Sequence, residues 1–311
     1  MLQHLREVAD AMRGMLDACR KHGDAPKVEA VHYLRTGTRR VEATLETLAR
    51  EAGARGLGKA VEEARQRWLR QLKKVRRAAG TVRDLDVHRE LLAENFLPAA
   101  DTATDATTSA AADSGEVTPL VEQARVLGAW LKIHRSAAAQ ALSSTLHDQA
   151  DRLLDAERQF MAAITKSRSN MRRAHRPAAC LALDDYLRLM DAMPLLDCEN
   201  LHDFRKGAKK ARYVAESDDK DPAAEAMAKT IKRVQDTIGD WHDWDVMRAE
   251  AREALHDNGA ALEAELETRT KRAYERALRM TSTMGCRFIG EWQASRPRRA
   301  RSSRVTQRKS S

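Results

Sequence analysis

Val31-His32-Tyr33-Leu34-Arg35-Thr36-Gly37-Thr38-Arg39-Arg40 returns 170 positions later as Leu201-His202-Asp203-Phe204-Arg205-Lys206-Gly207-Ala208-Lys209-Lys210. The shared polar positions fall at i, i+3, i+7 and i+8 of each copy, which is the spacing of one face of an α-helix. His32, Arg35 and Arg39 therefore stack on one stripe, and His202, Arg205 and Lys209 on another. Cations three or four residues apart repel by about a few tenths of a kcal/mol. Either carboxylates from neighbouring helices or a polyanionic ligand must offset that repulsion, and the repetition of the stripe favours the ligand.

A second motif is repeated in the same order. Leu72-Lys73-Lys74-Val75, followed by Gly80, Asp84, Asp86, Val87 and Arg89, aligns with Ile231-Lys232-Arg233-Val234, Gly239, Asp243, Asp245, Val246 and Arg248 at a constant offset of 159. Two ordered motifs that recur in one chain indicate a tandem duplication of a helical unit, each copy with its own basic wall.

The pairing of HxxRxGxRR with a later GxxxDxDV, and of LHDFRKGAKKARYVAE with GDWHDWDV, resembles the CHAD family, the conserved histidine α-helical domain. The likeness spans nearly the whole chain apart from residues 98–118 and the extreme C-terminus. It implies an all-α fold of two pseudo-symmetric antiparallel helical bundles whose basic faces converge. It also implies an activity of binding inorganic polyphosphate without processing it. Carried over by position, the family's histidines are His32 and His202. Its basic residues are Arg35, Arg39, Arg40, Arg205, Lys209, Lys210 and Arg212, with Lys73, Lys74, Lys232 and Arg233 as weaker matches on the next helix; Lys206 joins them by helix spacing alone, as a flank of the second row. One departure is Glu42, where family members often carry another arginine, so the first half is expected to grip less tightly. No triphosphate-tunnel domain is visible, and a stand-alone version is expected.

Composition fits this class without identifying a ligand. Hydrophobic residues make up 42% and charged residues 32% of 311, with 7 prolines and 14 glycines, a balance that favours helices with a real core. Lys plus Arg exceed Asp plus Glu by 55 to 46, giving +9, which favours polyanionic partners. Cys19, Cys180, Cys198 and Cys286 lie far apart with no CxxC spacing, so reduced, buried thiols are expected rather than a zinc knuckle or disulfide framework. Charges interrupt every apolar run near the N-terminus and no stretch approaches the length of a membrane span. A cytoplasmic location is expected, with polyphosphate granules as one destination, and no membrane partner.

Along the chain, Leu5, Val8, Met12, Met15 and Leu16 mark a first amphipathic helix. Pro26 opens a second through His32 to about Arg50. A third, from Lys59, is expected to stop before Gly80, with Asp84 capping its successor, and Asp243 stands in the same place after Gly239. The alternative is that these carboxylates orient histidines or basic side chains of a neighbouring helix. Residues 98–118, small, acidic and Thr-rich, read as a disordered insertion. Leu120 to Lys166 fits one broken helix or two. The division expected is 1–166 for the first half, 167–292 for the second, ending in a helix from about Ala260 to Trp292, and 293–311 for a basic disordered tail.

A linear polyphosphate offers dense anionic oxygens and no bases, so its recognition must come from charge, forked hydrogen bonds and shape. Arginine supplies the fork and lysine a mobile point charge. His32 and His202 are expected to donate to phosphate or to lock nearby arginines, with binding strengthened at mildly acidic pH. Rival readings fare worse. A metal-dependent phosphohydrolase using His32, His202, His242, Asp84, Asp243 and Asp245 would have cations beside its ligands, so no metal and no cofactor are expected. No GxSxG or GxxxxGK[ST] motif is present. Aromatics are only 4%, which leaves weak, sequence-blind nucleic-acid binding through the tail. The oligomeric state is not legible, because an exposed apolar seam looks like a core-facing one.

Overall fold

Leu5, Ala9, Met12, Leu16 and Cys19 recur every three or four residues, and all five are buried along the inner side of α1 (Leu2–Lys21). The computed structural model describes residues 2–52, 56–98, 118–167, 177–218 and 221–295. After α1 come α2 (Val28–Glu51), α3 (Lys59–Phe96), α4 (Pro119–Ser167), α5 (Ala178–Ala192), α6 (Leu201–Ala215), α7 (Pro222–Leu255) and α8 (Ala260–Ser295). No strand occurs among the described residues, so the fold is all-α. Most of the insertion and residues 296–311 of the basic tail lie outside the described residues.

Local signals set several boundaries. Gly58, at φ 80, precedes α3 in a conformation that an L side chain rarely adopts. Asp221 accepts a hydrogen bond from the Ala223 N–H at 2.9 Å, and Pro222 follows it as the first residue of α7.

Two expected boundaries are absent. α3 and α7 run unbroken through Gly80 and Gly239, so Asp84 and Asp243 sit inside helices and cap nothing. A single glycine lowers helix stability by only about 1 kcal/mol, and long buried flanks on both sides outweigh it. α4 is likewise one helix of 49 residues, not two.

The apolar faces meet in two cores. One joins α1, α2, the N-terminal part of α3 and the C-terminal part of α4, where Trp68 packs on Phe160 with ring centroids 5.5 Å apart. The other joins α5, α6, α7 and α8 to the far end of α3 and the start of α4, through Leu92, Phe96, Leu127 and Leu131. Phe96 meets Trp244 edge to face, and the Arg269 guanidinium covers both rings. The cores thus do not divide the chain at one residue, because α3 and α4 serve both. Trp241 and Trp244, which frame the His242-Asp243 pair, are core residues. Cys19 is buried and its thiol is pushed up to about 11, whereas Cys180 and Cys198 are exposed, correcting the expectation of buried thiols for those two.

Candidate anion-binding cleft

α2 packs against α3 and α6 against α7, and α2 also touches α6. The stripes on α2 and α6 therefore border one space, a cavity of about 580 Å³ between the two groups of helices. From the first group it takes His32, Arg35, Arg39, Arg83, Asp84 and His88; from the second, His202, Arg205, Lys206, Lys209, Arg212, Tyr213, His242 and Asp243.

The repeated glycines explain how the arginines are seated. A Cβ on Gly239 would lie 2.7 Å from Arg205 Nη2 and 3.3 Å from its Cζ, so the guanidinium occupies the place of the missing side chain. Arg35 lies over Gly80 in the same way, more loosely, with Nε 3.5 Å from the position of a Cβ. One turn further along α3, Asp84 Oδ1 holds Arg35 Nη2 at 3.2 Å. Asp243 takes the equivalent place on α7. Burial raises its carboxyl pKa, while the charges on Arg205 and His88 pull it back. The GxxxD motif thus forms part of the wall against which the arginine of HxxR rests.

Each histidine also meets the residue just before that aspartate. Arg83 Nε donates to His32 Nδ1 at 3.1 Å, so this imidazole is a neutral acceptor, and burial followed by Arg83, Arg35 and Arg40 lowers its pKa. His202 faces His242 with ring centroids 4.1 Å apart. Burial and then Lys206 and Arg205 lower the His202 pKa, and burial with His202 pushes His242 down to about 3. Deeper in, His88 Nδ1 sits 2.8 Å from Glu250 Oε2, although off the line of a good hydrogen bond. Burial lowers the His88 pKa, but Glu250, Asp243 and Asp84 outweigh it and the net shift is upward.

Positive charge dominates the lining. Among the described residues, seven Lys and Arg side chains face the cavity against three aspartates, Asp84, Asp236 and Asp243. Lys209 is pushed down to about 7 by burial and then by Arg205, Arg35, Arg39 and Arg212, four cations drawn from both stripes. Arg205 is lowered by burial and also feels Arg35. Arg35 Nε, Arg39 Nε, Arg83 Nη1, His202 Nδ1 and Arg205 Nε are all buried without a hydrogen-bond partner.

Of the basic residues expected from the sequence, Arg40, Lys73, Lys74, Lys210, Lys232 and Arg233 do not line the cavity. Arg40 lies 3.8 Å from Glu216, Lys210 pairs with Glu46 at 2.8 Å, Lys232 with Asp236 at 2.7 Å, and Lys74 donates to Gln149 at 3.1 Å. Glu42, the departure noted in the first copy, pairs with Arg76. Sequence reasoning missed Arg83, His88 and His242 as residues lining the cleft. Arg83 and His242 hold matching places but differ in type, which hid them from a search for repeated residues. His88 has Met247 at its equivalent position and left no repeat signal. Among the described residues, no group of three or more His, Cys, Asp or Glu side chains is placed to hold a metal ion.

An all-helical chain with a cationic cavity between two helical groups defines the class. The chain belongs to the CHAD family: the model described as CHAD domain matches residues 3–252. Among solved structures it is similar to PptA from Streptomyces chartreusis, with 17% identity, a TM-score of 0.56, and coverage of 93% of this chain and 96% of that one, a likeness of fold. No curated protein matches its sequence. No described helix is long and apolar enough to cross a membrane.

Proposed function

We propose that this protein binds inorganic polyphosphate, without processing it, in the cleft between the α2 and α6 stripes. The observation that carries the reading is the gathering of cations from both stripes around one cavity, with buried guanidinium donors on Arg35, Arg39, Arg83 and Arg205 that meet no acceptor among the described residues. A buried donor left unpaired costs about 1–3 kcal/mol, so four around one cavity favour a ligand dense in acceptors. A phosphate chain supplies such oxygens at every unit, and its charge relieves the repulsion gathered at Lys209.

The matched seats, Arg35 over Gly80 and Arg205 over Gly239, support a duplicated helical unit as the origin of the cleft. A nucleic acid fits less well. Among the described residues, Tyr213 is the one aromatic that lines the cavity besides the histidines, and single strands need stacking platforms.

The test is isothermal titration with long-chain polyphosphate, with single-stranded DNA as competitor. The double variant Arg39→Ala, Lys209→Ala is expected to weaken binding by about a hundredfold or more, since each change removes a charge-assisted hydrogen bond. DNA should fail to displace polyphosphate. Affinity unchanged in the variant would place the site elsewhere, and ready displacement by DNA would make nucleic acid the ligand.

A further inference from the structure

Resting on that reading, we propose that a phosphate polymer longer than the cleft leaves it along the solvent face of α3, over Arg77, Lys73 and Arg70, and not along the matching face of α7. At 100° per residue these three positions lie within about 40° of Asp84, which lines the cavity, so they continue its wall along one helix side. The core-facing residues Leu72, Val75 and Ala79 occupy the opposite side. Arg70, Lys73 and Arg77 are exposed, and among the described residues none of them forms an ion pair. With a rise of 1.5 Å per residue, the run from Arg70 to Asp84 extends the cationic path by about 21 Å.

The second copy acts as an internal comparison. The positions 159 residues later are Lys229, Lys232 and Asp236. Lys229 is paired with Glu225 at 2.6 Å and Lys232 with Asp236 at 2.7 Å, so that face of α7 carries no uncompensated cation at these places. Asp236, standing where the first copy has Arg77, also lines the cavity and sets a negative charge at that exit. A polyanion emerging from the cleft meets a ladder of cations on one side and a carboxylate on the other. Duplicated sequence has diverged here in a way that gives the site a direction.

The experiment compares tripolyphosphate with long-chain polyphosphate on the full chain and on Arg70→Gln, Arg77→Gln, with Lys229→Gln as control. All three substitutions are at exposed positions, and circular dichroism checks that helix content is unchanged. The double variant is expected to bind tripolyphosphate as the wild type does, to bind the long chain about tenfold more weakly, and to lower the slope of log affinity against log salt by up to about 2. Lys229→Gln should leave both affinities unchanged. Long-chain affinity unaffected by the double variant, an equal loss for both chain lengths, or an equal effect of Lys229→Gln would each overturn the track. Failure of the wild type to bind either chain would overturn the cleft itself, a result that the tripolyphosphate arm separates from the others.

Discussion

Lys209 is the residue at which the two stripes press hardest on each other. Its ammonium lies in the field of Arg35 and Arg39 from α2 and of Arg205 and Arg212 from α6, and with burial this brings its pKa down to about 7. A phosphate bound beside it favours the charged form and raises that pKa, so binding above neutrality must take up a proton. Affinity is therefore expected to be full below about pH 7 and to fall as pH rises, by up to about tenfold per unit until the pKa of the complex is reached. Lys209→Arg, which does not titrate in this range, should flatten the profile. A flat profile in the wild type, or an unchanged slope in the variant, would contradict this account of Lys209. The sequence showed that His32 and His202 belong with the basic rows, but not how they are used. His32 is committed to Arg83 as a neutral acceptor, and only the packing of α2 on α3 reveals that. Burial and neighbouring cations leave both histidines with lowered pKa values, so within the two stripes Lys209, and not a histidine, titrates near neutrality.

At the scale of the helix, α3 and α7 each carry a glycine at the crossing point of an arginine. Replacing Gly239 by Ala puts a methyl group 2.7 Å from Arg205 Nη2 and must displace the guanidinium, whereas the same change at Gly80 meets Arg35 at an ordinary 3.5 Å. Ala improves helix propensity at both sites, so Gly80→Ala is not expected to lose thermal stability, while at Gly239 the gain of about 1 kcal/mol is set against the displacement of Arg205. Gly239→Ala should weaken polyphosphate binding about tenfold, and Gly80→Ala should stay within about twofold. Equal affinities for Gly239→Ala and the wild type, measured by titration calorimetry, would show that the seat is not needed. The apolar period made the core face of α1 legible from sequence, and the spacing of the basic stripes placed His32 and His202 on helices. Gly80 and Gly239 were misread because a glycine that ends a helix and one that admits a neighbour's side chain look the same in one dimension. Their spacing to Asp84 and Asp243 held the answer, since i and i+4 share a helix face.

At the scale of the molecule, the cleft exists because α3 and α4 reach from one core into the other and hold two helical groups side by side. The fold class was legible in the sequence because duplicated motifs and helical periodicity are local. The partition of the cores was not, because nothing in the sequence of α4 marks where its packing changes partner. Which surface cations are paired was not legible for a related reason: Lys210 and Lys232 look like their neighbours in sequence until Glu46 and Asp236 are seen beside them. Everything proposed for this protein depends on Arg35 and Arg39 sharing one ligand with Arg205 and Lys209. A crystal structure grown with polyphosphate measures that directly. The account predicts continuous density for a phosphate chain within hydrogen-bonding reach of all four side chains at once. Density confined to one stripe, or lying only on the outer surface of the helices, would contradict it.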